Sequence, residues 1–145
     1  MCGKDHGFMP IVVEAMEEQD YRNWLAEKKA EAAEIAEMNK LQLSMEEMFA
    51  RGEDVYNKQC AACHAVDGKG GIGPSMIGTV VTTGDMRTHM DVIVNGVPGT
   101  AMQAFGNQLS ELDLAAVVTY ERNAWGNNMG DMVQAVDVLN FKKTN

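Results

Sequence analysis

Apolar positions recur at helical spacing in three stretches of this chain. The first stretch opens with Ser44 and Glu47 in capping-box spacing and sets Met45, Met48, Phe49, Gly52, Val55 and Tyr56 on one face, which predicts a core-facing helix. The last opens with Ser110 and Asp113, carries Leu114, Val117, Val118 and Tyr120, and is expected to stop near Trp125-Gly126. Between them a shorter helix is predicted over 85–94, ending at Asn95-Gly96, where glycine accepts the backbone turn that terminates a helix. Nine of the fourteen glycines fall between Gly68 and Gly106, so irregular loops join these helices. No strand pattern or internal repeat competes there, and residues 44–128 read as an all-α domain.

The flanks have different patterns. Residues 14–43 are rich in Ala, Glu and Lys and lack Gly and Pro, with Tyr21, Trp24, Leu25, Ile35 and Leu41 thinly spread. That composition favours helix, but so broken an apolar stripe cannot serve a core, so the segment is expected to be a solvated, semi-rigid helical linker. Ahead of it, within residues 1–13, Phe8-Met9-Pro10-Ile11-Val12-Val13 predicts a strand entered through a proline. Residues 129–145 carry Val133, Val136, Val138, Leu139 and Phe141, enough to pack a tail against the domain. Gly52 lies on the apolar face of its helix, where it costs about 1 kcal/mol relative to alanine. Its use there is expected to be close passage of a second helix, with the last helix and Tyr120 as the partner.

Composition narrows the possible functions. The chain has 145 residues, 46% of them apolar, which is enough for a packed core, and no apolar run approaches the roughly 18 residues of a transmembrane helix. Its 21 acidic residues against 12 basic ones give a formal net charge of −9. No basic patch offsets this, which disfavours nucleic acid and favours basic protein partners. Twelve of the acidic residues lie between Glu14 and Asp54, mostly on the linker, where a charge run chiefly solvates a surface. The start, Met1-Cys2-Gly3-Lys4-Asp5-His6, has neither the apolar stretch nor the small-residue cleavage site of an export signal.

The chemistry concentrates in Cys60-Ala61-Ala62-Cys63-His64, a Cys-x-x-Cys-His run of the kind that attaches a c-type haem. Two thiols three positions apart at a helix end reach the two vinyl groups on one haem edge, and the adjacent histidine presents its ring to the iron. A zinc half-site and a dithiol redox motif are the alternatives. The first would need a second ligand pair, which Cys2, His6 and His89 do not supply at a useful spacing, and the second would need a βαβ context. The glycine-rich run from Val66 to Pro74 is suited to wrapping the proximal face, with a carbonyl near Pro74 accepting the His64 Nδ1 proton. On the distal side Met102 is the candidate sixth ligand, since it lies in an irregular loop between two helices, 38 residues after His64. Met76, only 12 residues after His64, is the runner-up. Met45 and Met48 read as core residues, Met86 and Met90 as packing residues of the middle helix, and His89 as a solvated neighbour.

Residues 48–126 resemble a class I cytochrome c domain. The haem motif, Gly73-Pro74, Met102, and the crossing marked by Gly52, Tyr56 and Tyr120 occur in the order that family uses. The runs Gly96 to Met102, Ala104-Phe105-Gly106 and Thr119 to Asn127 are similar to the cytochrome c extension of subunit II in bacterial haem-copper cytochrome c oxidases. Cys2-Gly3-Lys4-Asp5-His6-Gly7-Phe8-Met9-Pro10 resembles the end of that subunit's dinuclear copper motif, with Cys2, His6 and Met9 at ligand positions. The pattern also needs a cysteine, a glutamate and a histidine upstream, so the chain is expected to be the carboxy-terminal portion of a longer subunit, with Met1 an artificial or misassigned start.

That resemblance implies an all-α class I cytochrome c fold around one covalent haem c, preceded by a helical linker and a remnant strand of a cupredoxin-like copper domain. The implied divisions are 1–13, 14–43, 44–128 and 129–145. It implies a haem held by Cys60 and Cys63, with His64 and Met102 as axial ligands and Pro74 hydrogen-bonded to His64, and dinuclear copper only in the full-length parent. The implied activity is one-electron transfer at the entry to a respiratory cytochrome c oxidase, the chain alone being a carrier with no catalytic site. Its partners would be a cytochrome c or another donor protein and subunit I of the oxidase. It would work at the periplasmic face, with the parent anchored in the inner membrane by upstream segments. The alternative is a free-standing soluble cytochrome c.

Overall fold

The computed structural model describes residues 13–144, and every regular element among them is helical. In order these are α1 (Glu18–Lys40), α2 (Met45–Gln59), α3 (Ala61–His64), α4 (Met86–Asn95), α5 (Glu111–Asn123) and α6 (Ala135–Lys143). The strand expected at 8–13 and the residues Cys2, His6 and Met9 lie outside the described residues except for Val13, which is exposed and in no regular element.

The chain divides into two compact units between Glu34 and Ile35, and α1 crosses the division. No residue of α1 is buried. In the first unit Tyr21 stacks on Trp24 at 5.8 Å, with both rings half exposed.

The second unit is organised around α5. Nine consecutive residues, Leu114 to Arg122, are buried, because α2, α4 and α6 all pack on this helix. Ser110 caps α5 by accepting from the Asp113 amide at 3.1 Å. Ser44 caps α2 in a full capping box, its hydroxyl accepting from the Glu47 amide while the Glu47 carboxylate accepts from the Ser44 amide. These caps satisfy amides that would otherwise be orphaned at helix starts, and they fix where the two crossing helices begin.

The crossing depends on Gly52. A Cβ at that position would overlap the Ala116 carbonyl oxygen and lie 2.6 Å from the Tyr120 Cβ, so the α2 and α5 backbones touch there. Around this point Phe49, Tyr56, Tyr120 and Trp125 form an aromatic cluster with centroid separations of 4.8–5.5 Å. Met48 is fully buried, whereas Met45 is only partly covered.

Past residue 128 the fold continues into α6. Val138, Leu139 and Phe141 are buried, and the helix is capped by Gln134 and Asp137. Lys142 donates to Glu111 at 2.8 Å, tying α6 to the first turn of α5. This hydrogen bond holds the Glu111 carboxyl below its ordinary value. The stabilisation is present above the usual carboxylate range and is lost as pH falls through the lowered value. Glu111→Gln should therefore reduce stability at neutral pH by up to about 1 kcal/mol, and denaturant melts of the two proteins should converge in acid.

Candidate haem site

The carboxy-terminal end of α2 delivers the chemistry. Cys60 ends α2 and starts α3; its carbonyl accepts from the Cys63 and His64 amides, both at 3.0 Å, so one helical turn sets both cysteines and the histidine. Both thiols are free, Cys63 exposed and Cys60 partly buried. Burial, then the nearby charges of Glu121 and Cys63, push the Cys60 thiol up to about 12, so it stays protonated at neutral pH.

The segment after His64 folds back as a tight wrap. Ala65 has φ 61°, a left-handed value uncommon for a residue with a side chain, and its carbonyl accepts from the Tyr56 hydroxyl at 2.8 Å. The Gly73 amide donates to the Cys63 carbonyl at 2.8 Å. A Cβ on Gly73 would lie 2.6–3.0 Å from three atoms of the His64 ring, so only glycine lets the chain pass this close. The wrap brings the Pro74 carbonyl oxygen 2.8 Å from His64 Nδ1. A carbonyl can only accept, so Nδ1 carries the proton and the lone pair of the neutral ring is on Nε2.

His64, Cys60 and Cys63 line a mainly apolar cavity of about 530 Å³, as do Met76 and Met102. The Met102 loop is built from its own turns. The Met102 amide donates to Thr100 Oγ1 at 3.1 Å, its carbonyl accepts from the Val97 amide at 3.0 Å, and the Phe105 and Gly106 amides anchor the loop on the Ile93 and Val94 carbonyls. Gly96, at φ 71°, packs against the Met102 carbonyl, where a Cβ would come within 2.7 Å. Met76 is fixed differently, since its carbonyl accepts from Thr82 Oγ1 at 2.8 Å and from Asn127 Nδ2 at 3.0 Å.

Two free thiols, a histidine with Nδ1 already committed, two thioethers and an apolar cavity of ligand size together fit a covalently held haem. Among the described residues, no group of three or more His, Cys, Asp or Glu side chains could hold a metal ion, and no βαβ unit surrounds the cysteines. Neither alternative to haem gains support. The family model described as cytochrome c oxidase, cbb3-type, subunit III matches residues 47–120, half of the chain. This chain belongs to that cytochrome c family.

The cytochrome c domain has curated relatives in several complexes. It is 36% identical over 105 residues to the cytochrome c subunit of the quinone alcohol dehydrogenase of Gluconobacter oxydans (strain 621H), covering 64% of this chain and 22% of that protein. It is 30% identical over 84 residues to the cbb3-type cytochrome c oxidase subunit CcoP of Azospirillum brasilense, covering 52% and 28%. A probable cytochrome c oxidase subunit 2 of Rickettsia bellii (strain RML369-C) matches at 48% over 33 residues, 23% of this chain and 12% of that protein. The chain thus spans about a fifth of the length of its dehydrogenase relatives, and the likeness to oxidase subunit II is confined to a short stretch.

One expectation about the cytochrome c domain is overturned. His89 is fully buried and lines the cavity, with Nε2 2.8 Å from Glu121 Oε2. On α4 it shares the inward face with Met90, Ile93 and Val94, and that spacing, read without regard to polarity, would have placed it inside. Two further contributors had no local signal. Arg122 is buried, bonds Asp131 at 2.6 and 2.8 Å and donates to the Gly84 carbonyl at 3.1 Å. Asn127 bridges Met76, Gly78 and Glu121 main chain. Together they clamp the loop that leads from Met76 into α4.

Proposed function

We propose that this domain carries one electron at a time through a haem c attached to Cys60 and Cys63, with His64 and Met102 as its axial ligands. Bound haem c supplies an iron that cycles between ferric and ferrous states. The observation that carries this reading is the 2.8 Å bond from His64 Nδ1 to Pro74, which holds the imidazole in the tautomer that offers Nε2. Gly73 passes against the His64 ring with no Cβ between them, and the lining of the cavity is mainly apolar. Met102 as a ligand to that iron would favour the ferrous state and raise the potential. With His64 and Met102 both holding the iron, no position would be left open to oxygen.

Within that role we place the chain at the electron entry of subunit II of a respiratory haem-copper oxidase, on the periplasmic face of an inner-membrane complex. A cytochrome c or other donor protein would reduce it, and the dinuclear copper motif, of which Cys2, His6 and Met9 are part, would take the electron toward subunit I. The longer match to dehydrogenase cytochrome subunits favours a second reading, a relay out of a membrane dehydrogenase. A free-standing carrier is the third. Iron, copper and zinc counted per chain, on protein from a host that matures c-type haems in its periplasm, test the site. One iron without zinc is expected, and zinc without iron would sink the reading. Copper beside iron would show that Cys2, His6 and Met9 complete a copper centre, favouring the oxidase over the dehydrogenase.

Met102→Ala should lower the midpoint potential by an amount on the order of 100 mV and let carbon monoxide bind the ferrous protein, while Met76→Ala should change neither. Optical titration and a carbon monoxide difference spectrum read both effects. The reverse pattern would exchange the roles of the two methionines.

A further inference from the structure

Among the described residues, one ion pair has both side chains closed to solvent, and it lines the cavity. His89 on α4 is 0% exposed and Glu121 on α5 is 1% exposed, with Nε2 and Oε2 2.8 Å apart. His89 Nδ1 is also buried and has no hydrogen-bond partner. Packing alone does not account for this pair, because the neighbouring inward positions of α4 are Met90, Ile93 and Val94. A buried polar group left unpaired is costly, and one beside a redox cavity calls for a chemical explanation.

The geometry permits two protonation states without rearrangement. With a neutral imidazole, Nε2–H donates to the Glu121 carboxylate, the pair carries one negative charge, and Nδ1 is an open acceptor. A proton on Nδ1 makes the pair an imidazolium and a carboxylate of no net charge, and the Nε2–H to Oε2 bond is retained. A group in the same cavity that gains one electron makes the surroundings more negative by one charge. In a dry, apolar setting that change is strongly felt by a buried neighbour.

The other charged and titratable groups around the pair do not compensate it. From α2, Tyr56 and Cys60 are electrostatically coupled to Glu121, and burial together with that carboxylate pushes both upward, so both are neutral. Tyr120 on α5 is raised for similar reasons. Arg122, next in sequence, is committed to Asp131 and to the Gly84 and Thr82 carbonyls. Asp85 caps the start of α4 by accepting from the Thr88 amide, His64 is bonded to Pro74 across the cavity, and Lys142 of α6 is paired with Glu111.

We infer that the His89–Glu121 pair is a redox-linked proton site: when the domain accepts one electron from a donor protein, His89 Nδ1 takes up a proton from water, and it releases that proton when the electron leaves. The inference rests on the haem reading above. It adds to electron transfer a proton exchange carried by two residues of the protein itself.

The test uses the haem-loaded chain. Its midpoint potential, measured optically from about pH 5 to about pH 9, should fall with rising pH over part of that range, with a slope approaching about 59 mV per tenfold change in proton activity. In weakly buffered solution an indicator dye should register proton uptake on reduction. His89→Gln and Glu121→Gln, near-isosteric changes, should each flatten the slope while the absorption spectrum keeps its six-coordinate form. A pH-independent potential with no proton uptake in the unmodified protein would overturn the inference whether or not either variant folds. A slope that survives in both variants would overturn it as well, by assigning the proton to another group. Failure to obtain any reversible haem couple would instead reject the haem reading on which it stands.

Discussion

The chain carrying both Cys60→Ser and Cys63→Ser is expected to contain no covalently attached haem when matured in a periplasmic host. Its intact mass should equal that of the polypeptide, and haem staining on a denaturing gel should be absent, whereas each single variant should keep one attachment. Serine is close in size to cysteine, but its hydroxyl cannot form a thioether to a vinyl carbon. The consequences reach the fold. An apolar cavity of about 530 Å³ left unfilled costs, at about 24 cal/mol per Å³ of empty core, an upper limit on the order of 10 kcal/mol. That is comparable with the whole stability of a small domain. The double variant should therefore lose its cooperative thermal transition as well as its haem. A mass that still includes the cofactor, or an unchanged transition, would contradict this account of Cys60 and Cys63.

Gly52→Ala is expected to destabilise the loaded protein by about 2–3 kcal/mol, because the added methyl group must push α5 away from α2. Helix propensity alone predicts the opposite, a gain of about 1 kcal/mol for replacing a mid-helix glycine. The two effects therefore differ in sign. The steric one wins because the obstacle is the Ala116 carbonyl and the Tyr120 Cβ, which cannot swing aside as a flexible side chain would. Denaturant midpoints on protein whose absorption spectrum is unchanged will decide it, and a stabilised variant would mean that the helices are not in contact at residue 52.

How much of this was legible in the sequence follows from the range of each interaction. Ser44 with Glu47 and Ser110 with Asp113 act within one helical turn, so the starts of α2 and α5 could be read directly. Gly52 could be read because an apolar face interrupted by glycine has few other uses. The link from His64 to Pro74 spans ten residues in a glycine-rich loop and was also foreseeable. His89 is harder to place from sequence, because its polarity argues for solvent while its position on α4 argues for the inward face, and the partner that lets it be buried, Glu121, is 32 residues away. The Arg122–Asp131 pair and the Asn127 bridges follow the same rule, since each exists only once the chain has returned on itself. Helix α6 shows in the sequence only as a packing tail, because its cap is a glutamine, a weaker signal than serine.

In the proposed role His64 and Met102 would both hold one haem iron, which would exchange single electrons and leave no position for an outside ligand. An optical redox titration of the loaded protein, followed by exposure of the fully reduced form to carbon monoxide, tests it most directly. One haem per chain, a reversible one-electron curve and a ferrous spectrum that carbon monoxide does not change are expected. Carbon monoxide binding at neutral pH would contradict it, because an open or displaceable sixth position belongs to a sensor or a catalyst.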